Sequence, residues 1–189
     1  MRIILASGSP RRRELMGLFT GFETAVRPAR GEEKPHPELS PEELVRELSR
    51  AKAAEVAAQL PDDTVLGADT VVVCGGTVLG KPRDEADAAR MLRLLSGREH
   101  EVLTGVTLIG GGSVQSMCEK TRVCFRSLTD GEISAYIATG EPADKAGAYG
   151  IQGRGALFIE RIEGDYYNVM GLPVCRVGEM LKELGVNLL

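Results

Sequence analysis

Between Thr64 and Cys74 the chain is almost continuously β-forming, yet a carboxylate stands inside the run Val65-Leu66-Gly67-Ala68-Asp69-Thr70-Val71-Val72-Val73. In a strand alternate side chains share a face, so Asp69 falls in with Val65, Gly67, Val71 and Val73, the least solvated company a carboxylate can have. An unpaired buried charge is costly, and the fold must therefore bring Asp69 a cation, a metal or a strong hydrogen-bond donor. Gly67 and Ala68 leave space beside it for a ligand. Two readings meet the demand: a structural aspartate that caps a nearby loop, or a carboxylate used as metal ligand or general base. Perturbed carboxylates cluster at functional sites.

Basic groups that could answer Asp69 lie in three other places. Ile3-Ile4-Leu5-Ala6 reads as a strand, followed by Ser7-Gly8-Ser9-Pro10-Arg11-Arg12-Arg13 and the helical spacing of Glu14-Leu15-Met16-Gly17-Leu18. Ser9 suits an N-cap and Pro10 the first helical position. Free amides, two hydroxyls and three guanidinium groups could there converge on one anion, and arginine forks match phosphate oxygens bidentately. The alternative is a capped helix whose solvated basic first turn opposes the macrodipole. Lys52 lies along the apolar stripe of Val45, Leu48 and Val56 on a second helix, placed either to snorkel along the core or to reach into an anionic site. Lys81 sits in a turn between Gly80 and Pro82. Arginines, Lys52 and Lys81 would suit a triphosphate, with Glu32, Glu33 and Asp69 holding the divalent ion that bridges its phosphates.

The remaining pattern alternates strands with helices. Strands are expected at Phe22–Val26, Thr64–Cys74, Thr77–Leu79, Val102–Ile109, Val114–Phe125 and Leu157–Ile162, with glycine turns at Gly75-Gly76 and Gly110–Gly112. Capping boxes at Ser40/Glu43 and Thr129/Glu132 open helices, the first running to about Gln59. Ala88, Met91, Leu92 and Leu95 mark another helix, ended by Gly97, and Val174, Val177, Leu181 and Leu184 a closing one. The expectation is an α/β fold with a mixed twisted sheet flanked by helices.

Composition narrows the partners. At 189 residues the chain can bury a sizeable core, and a net charge of −4 with 4% aromatic residues argues against a nucleic-acid or membrane-surface protein. No apolar run reaches the roughly 20 residues of a membrane span, and no signal-peptide core precedes the arginines. The four cysteines form no CxxC pair, and with two histidines they argue against zinc. Cys74, Cys118 and Cys124 lie in strand-like runs and are expected as buried free thiols, in keeping with a reducing cytoplasm. No G-x-x-x-x-G-K-[ST], HExxH or G-x-S-x-G motif occurs, and the glycines of Gly150-Ile151-Gln152-Gly153-Arg154-Gly155 lack dinucleotide spacing.

Leu5-Ala6-Ser7-Gly8-Ser9-Pro10-Arg11-Arg12, Leu66-Gly67-Ala68-Asp69-Thr70-Val71-Val72, Leu79-Gly80-Lys81-Pro82, Leu95-Ser96-Gly97, Asp144-Lys145-Ala146-Gly147-Ala148-Tyr149-Gly150-Ile151-Gln152-Gly153 and Gly171-Leu172-Pro173 resemble, in order and spacing, the Maf family of nucleoside triphosphate pyrophosphatases. The resemblance implies an elongated, two-lobed Maf/ITPase-like architecture over residues 1–189, a central cleft, and a homodimer. It implies hydrolysis of a nucleoside triphosphate to monophosphate and pyrophosphate with Mg2+, Mn2+ or Co2+, as housecleaning of nucleotide pools. Asp69 falls on the family's proton acceptor, and Ser7, Ser9, Arg11, Arg12, Glu33, Lys52, Lys81 and Gln152 on its other site residues. The AYGIQG form resembles the branch acting on dTTP and UTP, with Arg11, Thr70 and Gln152 associated with that choice. A glutamine amide offers the donor and acceptor that a uracil or thymine edge requires. Where the family carries D-I-D-E, this chain has Arg30-Gly31-Glu32-Glu33, a cation in place of the first carboxylate. Alternatives are the same hydrolysis on modified or other nucleotides, or a nucleotide-binding regulator of division and septum formation that does not turn over.

Overall fold

A computed structural model of the chain describes residues 2–31, 36 and 38–189. Strand β1 (Arg2–Leu5) leads through Ser9 into helix α1 (Pro10–Met16), and β2 (Glu23–Val26) precedes the long helix α2 (Pro41–Ala57). Then come β3 (Thr64–Cys74), β4 (Thr77–Leu79), α3 (Glu85–Leu95), β5 (Glu99–Gly110), β6 (Ser113–Phe125), α4 (Asp130–Ile137), β7 (Ile159–Glu163), α5 (Tyr166–Met170) and α6 (Val174–Glu183). The seven strands form one mixed sheet in the order β2-β1-β3-β5-β6-β7, with β4 folded back on β3. Sequence chemistry accounts for the boundaries. Both expected capping boxes form, Ser40 with Glu43 and Thr129 with Glu132, each satisfying amides that the first helical turn leaves open. Gly75 and Gly76, at φ of 55° and 79°, supply the left-handed pair that a two-residue hairpin needs.

The chain divides into two compact units. The first comprises Met1–Asp69, Thr104–Glu119 and Gly171–Leu189. Here β1 runs parallel to both β2 and β3, with Leu5 level with Val26 on one side and Leu66 on the other. Ile4, Ala6 and Val65 of the sheet bury against Ala53 and Val56 of α2. Helix α2 can approach closely because glycines face it. A Cβ on Gly105 of β5 would stand 2.1 Å from the Val45 carbonyl oxygen.

The second unit comprises Thr70–Leu103 and Lys120–Met170. Its core joins Val72 and Leu79 to Leu92 and Leu95 of α3 and to Ile133 and Tyr136 of α4. An aromatic cluster runs through it, Phe125 meeting Tyr149 at 4.7 Å and His100 at 4.9 Å between ring centroids, and Tyr136 meeting Phe158 at 4.9 Å. On the more exposed face of this part of the sheet, Glu99 pairs with Arg122 and Arg161, and Arg122 with Glu163.

The expected last strand begins later than its apolar residues suggest. Residues Arg154–Phe158 form a 3-10 turn, and pairing with β6 starts only at Ile159 opposite Phe125. One residue explains this: Arg126 donates its amide to the Phe158 carbonyl and its Nε to that of Leu157, both at 2.9 Å, so these carbonyls need no ladder partner. Phe158 is buried and Leu157 72% exposed. The thiols also depart from expectation. Cys74 is buried, whereas Cys118 and Cys124 are half-buried, sharing the wetter face of β6 with Lys120 and Arg122. Among the described residues no helix is long and apolar enough to cross a membrane.

His100 is 2% exposed, and its Nε2 lies 2.9 Å from the Tyr149 hydroxyl. Burial pushes its pKa down from 6.5 to about 4. The unfolded chain therefore binds a proton that the folded chain refuses, so this contribution to stability is whole above pH 6.5 and is lost as the pH falls towards 4. Thermal denaturation across that interval is expected to show Tm falling with pH in the wild type and falling less steeply in His100→Gln.

Candidate active site

Asp69 is 8% exposed, on the face of β3 that carries Gly67. Against that face lies α2. A Cβ on Gly67 would stand 2.2 Å from the Ser49 carbonyl oxygen and 2.8 Å from the Ala53 amide nitrogen, so helix backbone touches strand backbone where the side chain is missing. The turn Ser49–Ala53 is thus pressed against β3, and it contains Lys52. The Lys52 ammonium donates to the Asp69 carboxylate, from a helix whose Val45, Leu48 and Val56 are buried. Lys52 thus ends on a carboxylate rather than in open solvent, with its side chain 21% exposed. Beneath the same turn, Ser49 Oγ meets Thr107 Oγ1 at 2.8 Å and Thr107 Oγ1 meets Ser116 Oγ at 3.0 Å, so the polar groups under the helix satisfy one another.

Asp87, the other buried aspartate, gives a contrast. Its carboxylate accepts from the Arg83 amide and guanidinium and from Arg90, which together hold it down at about 2. That carboxylate is saturated by its own helix and the turn before it. Asp69 is instead met by an ammonium group from a distant helix.

A second cluster forms around Ser7. Its Oγ accepts from the Ser9 amide at 3.3 Å and from Arg12 Nη1 at 3.2 Å, while Arg12 Nε donates to the Gly171 carbonyl at 2.8 Å. Ser9 caps α1 as expected, accepting from the Arg12 amide. The helix is only seven residues long, so charge at its start comes mainly from side chains. Arg12 is therefore an oriented fork, Arg11 is half-buried, and Arg13 is exposed in the last turn. The three guanidinium groups are thus held in different ways.

Lys81, Thr70 and Gln152 belong to the second unit: Thr70 half-buried, Lys81 and Gln152 exposed. The Lys81 turn is tied down by the Gly147 amide, which donates to the Gly80 carbonyl at 3.0 Å. Glu32 and Glu33 lie outside the described residues. Just before them, the Arg30 and Gly31 amides donate to the Glu55 carboxylate at 2.7 and 2.9 Å, and these bonds hold its carboxyl below the usual range. Sequence reasoning missed Glu55. The available signal was its position three residues after Lys52, on the same side of α2. The Gly171 carbonyl was missed as a ligand of Arg12, although its Gly-Leu-Pro motif stood out.

The donor set bears on metal binding. Among the described residues no three His, Cys, Asp or Glu side chains converge on one point, so a cage built wholly of these side chains is absent there. Asp69 supplies one buried carboxylate. That carboxylate is ion-paired with Lys52, so any cation held there would need further oxygen ligands, such as substrate phosphates.

The sequence matches the family model described as Maf-like protein over residues 2–184. It is 53% identical over 188 residues to the dTTP/UTP pyrophosphatase of Moorella thermoacetica, covering 98% of this chain and 96% of that protein. It is equally 53% identical over 188 residues to the protein of the same name from Carboxydothermus hydrogenoformans, covering 98% and 100%. A Geobacillus sp. protein of that name is 52% identical over 184 residues, covering 97% and 98%.

Gly67→Ala tests the packing that delivers Lys52. The new methyl would meet helix backbone that cannot rotate away, so urea denaturation should show a loss of about 3 kcal/mol, at the upper end for overpacked cores.

Proposed function

The chain belongs to the Maf-like protein family, and from that premise we propose that it is a nucleoside triphosphate pyrophosphatase acting on dTTP and UTP. Water is added across the α–β anhydride, giving a nucleoside monophosphate and pyrophosphate. The observation that carries the reading is the Lys52–Asp69 pair, a carboxylate placed on an apolar face and matched by one cation.

In this mechanism Asp69 accepts the proton of the attacking water. Lys52 compensates the aspartate's charge and fixes its rotamer. Negative charge grows on the departing pyrophosphate, and Arg12 is oriented for it in advance by Ser7 and Gly171. Pre-set donors cost no reorganisation when the reaction occurs, which is where such electrostatic help is largest. Ser7, Ser9, Arg11 and Lys81 complete the grip on the phosphates. A divalent cation held by Asp69 with Glu32 and Glu33 would supply further neutralisation of phosphate charge. Thr70 and Gln152 act on the base, the glutamine amide pairing with the acceptor and donor of a uracil or thymine edge. The reading treats residues 1–189 as a single catalytic domain and extends to a homodimer in the cytoplasm.

Asp69→Asn tests it. The two side chains are near-isosteric, so Tm should stay within a few degrees while pyrophosphate release from UTP falls by about 100- to 10,000-fold, the span typical of a lost general base. Retention of most activity would remove Asp69 from the chemistry. Nucleotide binding by the wild type without pyrophosphate release would instead favour a regulator.

A further inference from the structure

The glycine-rich segment around Gln152 has dimensions that phosphate binding does not explain. Residues Tyr149–Gly155 wrap a single carboxylate, that of Glu141. Glu141 Oε1 accepts from the Tyr136 hydroxyl at 2.8 Å and from the Gly155 amide at 3.3 Å, and Oε2 accepts from the Arg154 amide at 2.9 Å. The Tyr136 hydroxyl in turn accepts from the Gly150 amide at 3.1 Å. Gly153 sits so close that a Cβ there would stand 2.3 Å from Oε1 and 2.4 Å from Oε2. A Cβ on Gly155 would lie 2.9 Å from the tyrosine hydroxyl. The glycine spacing that matches no dinucleotide fingerprint is thus the spacing needed to close a loop over a carboxylate.

Burial opposes ionisation of Glu141, but the Arg154 and Gly155 amides, the Tyr136 hydroxyl and the nearby Lys145 ammonium outweigh it and hold its carboxyl below the usual value. All of these contacts are donors to the carboxylate, so only an acceptor on both oxygens satisfies them. Gln152 lies at the exposed middle of the segment, and the tied backbone amides, those of Gly150, Arg154 and Gly155, flank it two or three residues to either side. The other entry to the loop is fixed by Tyr149, whose ring packs on Phe125 in the core.

We propose that Glu141, with Tyr136, is a positioning residue for base selection: it fixes the backbone from which Gln152 presents its amide to the pyrimidine. The inference rests on the substrate reading above and assigns the residue that makes the selection sharp. A glutamine on an unfixed loop can offer either end of its amide to any base. A fixed backbone confines where that amide can sit, which sharpens the difference between meeting the acceptor–donor–acceptor edge of uracil and the donor-bearing edge of cytosine.

The experiment compares wild type, Glu141→Gln and Tyr136→Phe in pyrophosphate release from UTP and CTP, with amide hydrogen exchange of residues 150–155. Glu141→Gln keeps the volume but turns an NH2 towards backbone donors. Tyr136→Phe keeps the ring in the core and removes only the hydroxyl. Expected are a roughly tenfold or greater fall in the UTP-over-CTP ratio, carried by KM more than kcat, and faster exchange at Arg154 and Gly155 in Glu141→Gln. Combining Glu141→Gln with Gln152→Ala should cost no further selectivity beyond Gln152→Ala alone. A merely structural role would lower Tm and slow both nucleotides equally. Variants that fold with the wild-type ratio and wild-type exchange would overturn the positioning role. A wild type inactive on both UTP and dTTP would overturn the substrate reading, a distinct result.

Discussion

The arrangement depends on a helix and a strand touching backbone to backbone at Gly67. Without a Cβ there, α2 settles onto β3 closely enough for the Lys52 side chain to end at Asp69. A buried ion pair is weak evidence of stabilisation, because desolvating both charges can cancel their attraction, and a well-packed apolar pair would often serve the core better. The presence of this pair on an otherwise apolar face is therefore better explained by what the carboxylate does. Asp87 makes the point by comparison: equally buried, it is saturated by arginines and an amide and serves the start of α3.

A second carboxylate does a different task in the second unit. Glu141 gathers backbone amides and a tyrosine hydroxyl, and so converts a flexible glycine-rich sequence into one defined loop. Glycine is usually associated with mobility; here its smallness lets the backbone close on a charge and be held by it. The two carboxylates are satisfied differently, Asp69 by one ammonium group and Glu141 by backbone amides and a hydroxyl.

Much of this is legible in the sequence. Asp69 was visible because strand periodicity has only two faces and every neighbour on its face is apolar or glycine. Lys52 was visible because helical spacing put it in line with Val45, Leu48 and Val56. The Ser9, Ser40 and Thr129 caps were legible because capping is local chemistry. What escaped reading was non-local. Leu157 and Phe158 look like a strand, and only the two bonds from Arg126 turn them into a 3-10 turn. Short α5 has too few residues for a periodic pattern. Cys118 and Cys124 were expected buried because strand-like runs do not reveal which face is wet. The surroundings of Glu55 and Glu141 are not legible in the sequence, since nothing there shows that a distant backbone will fold over them. Glu32 and Glu33 lie outside the described residues, so their roles rest on the sequence.

The central claim is that Lys52 and Asp69 act as one chemical unit. A double-mutant cycle on the rate of pyrophosphate release from UTP, with Lys52→Met, Asp69→Asn and both together, measures that directly. Groups that work as a unit give strongly non-additive losses. The account predicts that each single substitution removes nearly all turnover and that the double variant is little slower than either. Losses that simply multiply, or a double variant restored to near wild-type rate, would contradict it.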